Sequence, residues 1–265
     1  MHKTFSNEFL FQLFSLLVSI LLVHAVYVTV IWPNARADIE QNRAMIKQDP
    51  NYTAQRSWFI VLKDWEQESC FILGFWALAI MGYKTRGLGR ERRILDRQLV
   101  PIAEGMRILP EDTRDYVRQL QALPDAEKGL LVPRALLHAL QRFGATRNVQ
   151  DASSASHTLI MSEAERLEAE LSMIRYILWA IPSIGFIGTV RGIGDALGVA
   201  NKAVSGDISG VTESLGVAFN STLIALLISI LLMFFVHQLQ LVQERLAFET
   251  EDYLDEQLIR HLQAN

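Results

Sequence analysis

The chain has 265 residues, of which 50 % are apolar, and its mean hydropathy of +0.18 is high for a water-soluble protein of this length. Its formal charge of −4, from 25 basic and 29 acidic residues, gives no global field that would point to nucleic acid or an acidic substrate. The single cysteine, Cys70, excludes an internal disulfide and a cysteine metal cluster. This composition indicates a membrane protein.

The first predicted membrane helix covers residues 9–32, where the only strongly polar residues are Gln12 and His24. At about 1.5 Å per residue this run crosses a hydrocarbon core of about 30 Å. A cleaved signal peptide is the alternative, but the apolar run continues to Val30, which favours a retained helix. His24 is either a proton relay or a neutral, hydrogen-bonded structural residue, and the sequence favours the structural role.

The second predicted span is shorter, because its apolar core, residues 70–83, holds only about 14 residues or about 21 Å of helix. We expect it to begin near Trp65, with Glu66 and Glu68 at the membrane surface. An interfacial or re-entrant helix is the alternative.

The third and fourth predicted spans are residues 174–199 and 217–236, joined by a short polar loop that makes them antiparallel neighbours. Helical patterning at residues 159–175 predicts one long helix that runs directly into the third span. An apolar stripe after residue 236 likewise predicts that the fourth helix continues beyond the membrane.

Basic residues near the ends of the spans predict the orientation. A dense cluster follows the second span and argues that this end is cytoplasmic: Lys84, Arg86, Arg90, Arg92, Arg93 and Arg97. Both termini are then cytoplasmic and residues 33–64 lie outside, with residues near Asn51 facing out and residues near Asp112 facing the cytosol.

The fold class that follows is all-α: a polytopic membrane protein with four transmembrane helices, two of them extended into the cytoplasm, and a small helical cytoplasmic domain. Four divisions are predicted along the chain: residues 1–83 with two N-terminal spans, the cytoplasmic domain 84–172, a helix pair at 173–240, and a cytoplasmic C-terminal helix at 241–265.

The third and fourth spans carry small residues at spacings of three and four, which form smooth faces for close helix packing. These are Gly185, Gly188 and Gly192 after Pro182 in the third span, and Ser214, Ala218, Ser221, Thr222, Ala225 and Ser229 in the fourth. Periodicity alone favours ordinary packing over a polar passage. Arg191 and Asp195, four residues apart, are predicted to form an ion pair that lowers the cost of two charges in the span and has either a structural or a gating role.

Two motifs in the third and fourth spans are joined by the short polar loop: Pro-x-x-Gly-x-x-Gly-Thr-Val-x-Gly-Ile before it and Glu-Ser-Leu-Gly-Val-Ala-Phe-Asn-Ser-Thr-Leu after it. Together they resemble the paired pore helices of the TolQ, ExbB and MotA family. The resemblance covers roughly residues 170–245. It implies a homopentamer in the bacterial inner membrane around two copies of a single-span partner of the ExbD, TolR or MotB type, whose membrane aspartate carries the ion. The implied function is the channel subunit of a proton-driven or sodium-driven motor.

By this resemblance Thr189 occupies the pore threonine of the first helix. In the second helix the TolQ and ExbB threonine falls at Ala218, whereas the MotA pattern places it at Thr222; Ser221 is a weaker candidate. Arg191 stands where the family usually has an aromatic or apolar residue. Four spans resemble MotA, while TolQ and ExbB have three.

A non-conducting scaffold or signalling protein that anchors a cytoplasmic helical domain is the alternative function. The sequence contains no metal-ligand spacing, phosphate-binding loop or nucleophile constellation, so no enzyme activity and no cofactor are expected. Besides the partner and copies of itself, the chain is expected to contact membrane lipid, and no nucleic acid.

Overall fold

The computed structural model describes residues 2–49, 52, 57–102, 106–204 and 208–264, and within these ranges the regular structure is helical. The predicted all-α class is therefore confirmed for the described residues. Asn51 and residues 205–207 of the loop between the third and fourth spans lie outside them. The helices are α1 (His2–Val26), a π-helical turn (Tyr27–Ile31), α2 (Trp32–Gln48), α3 (Trp58–Leu62), α4 (Trp65–Leu95), α5 (Thr113–Gln121), α6 (Asp125–Lys128), α7 (Leu131–Thr146), α8 (Val149–Ala169), α9 (Ser172–Gly198), α10 (Ala200–Val204), α11 (Ser209–Gln257) and a 3₁₀ turn (Ile259–His261).

Three helical segments in the described part of the chain are long and apolar enough to cross a membrane: Glu8–Gln48, Val149–Gly198 and Ser209–His261. Helix α4, predicted as the second span, is not among them. Acidic residues before its short apolar core and basic residues after it keep its mean hydropathy low. A membrane crossing by α4 therefore stays a prediction.

The first helix extends well beyond its predicted end at residue 32, because α1 continues through the π-helical turn into α2. Pro33 lies at the start of α2. Proline lacks a backbone N–H and interrupts regular helical hydrogen bonding, and a change of helix type accommodates it.

The single long helix predicted across residues 159–175 is present within the helical segment Val149–Gly198, with one short turn at Glu170 and Leu171. Helix α8 ends at Ala169, and α9 begins at Ser172. The turn between them buries Leu171 and brings the Glu170 carboxylate 2.9 Å from Lys84 Nζ. The continuation of the fourth span is confirmed, since α11 runs without a break to Gln257.

The chain divides into two compact units. Unit 1 contains residues 1–82 and 173–236, and unit 2 contains residues 83–172 and 237–265. In unit 2, helix α7 supplies much of an apolar core, with Leu136, Leu140 and Phe143 fully buried. In unit 1, α9 and α11 pack through small residues, and this contact builds the candidate site.

Candidate functional site

Glycines on one face of α9 bring its backbone against α11. A Cβ atom placed on Gly185 would lie 2.6 Å from Ala225 Cβ, and one on Gly192 would lie 2.6 Å from the Ser214 carbonyl oxygen. No real Cβ tolerates either distance, so the two helices approach as closely as they do only because these positions lack side chains. Pro182 lies inside α9, before this contact.

The two predicted threonines meet at this contact. The hydroxyls of Thr189 and Thr222 are hydrogen-bonded to each other. Thr189 Oγ1 also lies 3.2 Å from the Ala218 carbonyl oxygen, and Thr222 Oγ1 lies 3.0 Å from the carbonyl oxygen of Gly185. Each hydroxyl has a single hydrogen, so the pair shares two donors among several oxygens and has more than one satisfied arrangement.

Ser221 lies on a different side of α11. It is fully buried, its hydroxyl donates to the Val217 carbonyl oxygen at 2.9 Å, and Gln67 Nε2 lies 3.5 Å from it. Ala218 is also fully buried, and its carbonyl oxygen accepts from Thr189. The structure therefore joins Thr189 to Thr222 and packs Ser221 against Gly188 of α9, within reach of Gln67 of α4.

Arg191 has a partner that the sequence analysis did not identify. Its guanidinium binds both carboxylate oxygens of Glu66, with Nε–Oε1 at 2.7 Å and Nη2–Oε2 at 2.9 Å. The predicted partner, Asp195, is farther away, with its Oδ2 3.9 Å from Arg191 Nη1. Asp64 Oδ1 lies 3.8 Å from Arg191 Nη2. Glu66, predicted at the membrane surface, is 0 % exposed. A two-pronged ion pair of this kind is among the stronger polar contacts in proteins.

Glu66, Gln67 and Glu68 form what we term the polar turn of α4. All three are buried, and each reaches a different helix: Glu66 binds Arg191 of α9, Gln67 contacts Ser221 of α11, and Glu68 Oε1 lies 2.7 Å from His24 Nδ1 of α1. The expected hydrogen-bonded environment of His24 is present. The sequence contains a signal for these contacts, because Glu66 and Glu68 lie directly before an apolar run, and acidic side chains that are buried there require partners from other helices.

Large apolar side chains flank the threonine pair and are exposed in the single chain. Val190 is 73 % exposed and Phe219 is 66 % exposed, and the same faces carry Phe186 and Leu223. Such faces are covered by lipid or by protein in a membrane.

Comparisons with known proteins add one finding. Residues 130–252 match the model of the MotA/TolQ/ExbB proton channel family. No curated protein and no solved structure matched the chain. The matching residues form a little under half of the sequence and include α9 and nearly all of α11. Together with the long apolar helices, the match indicates a membrane protein. Over these residues the chain is similar to the MotA/TolQ/ExbB proton channel family, as its paired-helix motifs indicated.

Proposed function

We propose that this chain is the channel-forming subunit of a motor driven by protons or sodium ions. The observation that carries the proposal is the pair of hydrogen-bonded threonine hydroxyls, Thr189 and Thr222, at the close contact of α9 and α11. This contact lies within the residues that match a proton channel family.

The chemistry of the pair suits the passage of a cation. A hydroxyl accepts and donates hydrogen bonds without carrying a charge, so it can exchange partners with water or a carboxylate at low desolvation cost. The carbonyl oxygens of Gly185 and Ala218 are alternative acceptors when the hydroxyls turn towards the ion. The ion is delivered by the membrane aspartate of a single-span partner, and its passage drives relative rotation or mechanical work.

The assembly we propose is a homopentamer around two copies of the partner in the bacterial inner membrane. The exposed apolar faces beside the threonines support it, since Val190 and Phe219 are positioned to contact neighbouring helices. Helix α4 provides the second of four spans. In support, its residues up to Gly82 belong to unit 1 together with the long apolar helices. Both termini then lie in the cytoplasm.

The experiment is valine substitution of each threonine, because valine nearly retains the shape of threonine and removes the hydroxyl. The chain is co-expressed with its single-span partner, which we expect to be encoded beside it, and ion uptake is measured in liposomes containing the purified complex. We expect Thr189→Val and Thr222→Val each to lower ion flux by roughly fivefold to tenfold, the value of one hydrogen bond.

Thr29→Val is the matched control. The Thr29 hydroxyl also donates to a carbonyl oxygen of its own helix, Ala25, but it is remote from α9 and α11 in the sequence and exposed. This variant should conduct normally. Native mass measurement should find five chains and two partner copies for the wild type and all three variants. Wild-type flux in Thr189→Val, Thr222→Val and the double variant would contradict the ion path, and an impermeable wild-type complex would favour the scaffold function.

A further inference from the structure

Arg191 introduces a permanent positive charge close to the proposed ion path. It follows Thr189 by two residues, about 3 Å along the helix axis and roughly 200° around it. Its side chain is 35 % exposed and thus only partly enclosed by protein. A guanidinium near a narrow passage is a known means of excluding cations. If a cation in the ion path passes about 10 Å from the guanidinium and the effective dielectric constant is about 20, an uncompensated charge on Arg191 would reduce the occupancy of the path by cations roughly tenfold.

Several charged side chains surround the guanidinium of Arg191. Glu66 binds the guanidinium at two points, and the carboxylates of Asp64 and Asp195 also lie within 4 Å. Lys63 is the second cation of this group, with its Nζ 3.8 Å from Asp64. Two positive and three negative side chains give a group charge of −1. Removing the charge of Glu66 would bring it to zero.

Glu66 also fixes the direction of the arginine side chain. It lies at the Gly188 face of α9: a Cβ atom on Gly188 would be 3.2 Å from Glu66 Cγ. Thr189, one residue later, instead faces Thr222. The ion pair therefore holds the guanidinium on the side of α9 that faces α4, away from the threonine hydroxyls.

We propose that Glu66 is a positioning residue for the ion path: it compensates the charge of Arg191 and holds that side chain away from Thr189 and Thr222, so that cations can enter. The inference rests on the proposed function. It assigns to α4 a role in conduction that is separate from its packing.

The test separates charge from packing. In the complex reconstituted with its single-span partner, Glu66→Gln should lower the flux of the transported cation roughly tenfold. The double variant Glu66→Gln, Arg191→Gln also lacks the ion pair but restores the group charge to −1, and it should conduct close to wild type. If the contact matters only for packing, the double variant will be as defective as Glu66→Gln. That result, or wild-type flux in Glu66→Gln, would overturn the proposal.

A second matched pair applies if Glu66→Gln alone does not assemble. Glu66→Gln, Arg191→Lys and Glu66→Gln, Arg191→Gln both lack the wild-type ion pair and differ by one positive charge. We expect the lysine form to conduct less than the glutamine form, and equal flux would overturn the proposal. An impermeable wild-type complex would overturn the proposed function itself, which is a different result from a conducting wild type with an unaffected Glu66→Gln variant.

Discussion

At the residue scale, the start of helix α7 is capped by a side chain from another helix. Leu130, which precedes α7, provides no side-chain cap, and the Leu131 amide donates instead to Glu91 Oε2 at 2.8 Å. The first amides of a helix have no partner within the helix, and a carboxylate there is favoured by the helix dipole. Burial nevertheless raises the pKa of Glu91 above its ordinary value, although this hydrogen bond acts to lower it.

This raised pKa predicts a pH dependence of stability. The folded chain binds the Glu91 proton more tightly than the unfolded chain does, so Glu91 favours folding most in acid, below about pH 4, and this contribution declines as the pH rises through the raised pKa. Glu91→Gln keeps an oxygen acceptor for Leu131 and removes the titration. We expect the melting temperature of the variant to fall less than that of the wild type as the pH rises from about 4 to neutrality.

The control for this prediction is Glu165→Gln, which changes an exposed carboxylate of α8. Its melting temperature should follow the pH dependence of the wild type. The interpretation of Glu91 is wrong if Glu91→Gln and Glu165→Gln respond identically to pH.

Sequence spacing finds contacts within one helix and overlooks those between helices. Arg191 and Asp195 were paired because residues four apart share a helix face, and the structure contains that contact at 3.9 Å. The much closer partner, Glu66, is 125 residues away in the chain. Only the packing of α4 against α9 brings the two together, and no periodicity in one sequence encodes that packing.

At the element scale, the α9–α11 contact depends on which face of α9 each glycine occupies. Gly192 and Gly194 are two residues apart on the same helix. A Cβ atom on Gly192 would lie 2.6 Å from the Ser214 carbonyl oxygen and 2.7 Å from the Ala218 nitrogen, both backbone atoms of α11. A Cβ atom on Gly194 would have no neighbour within 4 Å among the described residues.

Alanine substitution at these two positions should therefore have opposite effects. Gly192→Ala forces the helices apart and should destabilise the chain by about 1–3 kcal/mol, the usual cost of overpacking. Gly194→Ala reduces the flexibility of the unfolded chain without a clash and should stabilise by about 0.5–1 kcal/mol. Melting temperatures of the two purified variants in detergent test this. Similar melting temperatures for both would contradict the close contact.

The apolar patterning of the helices predicted most of the element order, and the differences have local causes. The small-residue faces of α9 and α11 can be recognised in the sequence because residues three and four apart lie on the same face of any straight helix. The short turn between α8 and α9 is not predicted because the helical pattern continues through residues 159–175, whereas the turn is accompanied by a contact between distant residues, Glu170 with Lys84. The extent of the first helix is underestimated because the prediction follows the apolar run, which ends at Trp32, whereas the helix continues through the polar residues of α2.

At the scale of the whole molecule, the number of membrane spans depends on α4. Its apolar core of about 14 residues is short for a bilayer of about 30 Å. Its buried polar turn, however, reaches α1, α9 and α11, so each of its three polar side chains makes at least one hydrogen bond within the protein, which lowers the cost of burying it in a membrane. We therefore expect α4 to cross the membrane despite its composition.

The number of spans decides on which sides of the membrane Asn51 and Asp112 lie. If α4 crosses, Asn51, which is outside the described residues, and Asp112 lie on opposite sides; if it does not, they lie on the same side.

Single cysteines at these two positions can be introduced in a Cys70→Ser background. This background is suitable because Cys70 is buried with its Sγ 3.6 Å from the Ile181 carbonyl oxygen, to which a serine hydroxyl can also donate. With a membrane-impermeant thiol reagent, we expect Asn51→Cys to be labelled in cells with a permeabilised outer membrane. Asp112→Cys should be labelled only after the inner membrane is opened. Equal accessibility of the two positions, with both labelled before the inner membrane is opened or both only afterwards, would show that α4 does not cross the bilayer and would leave three spans.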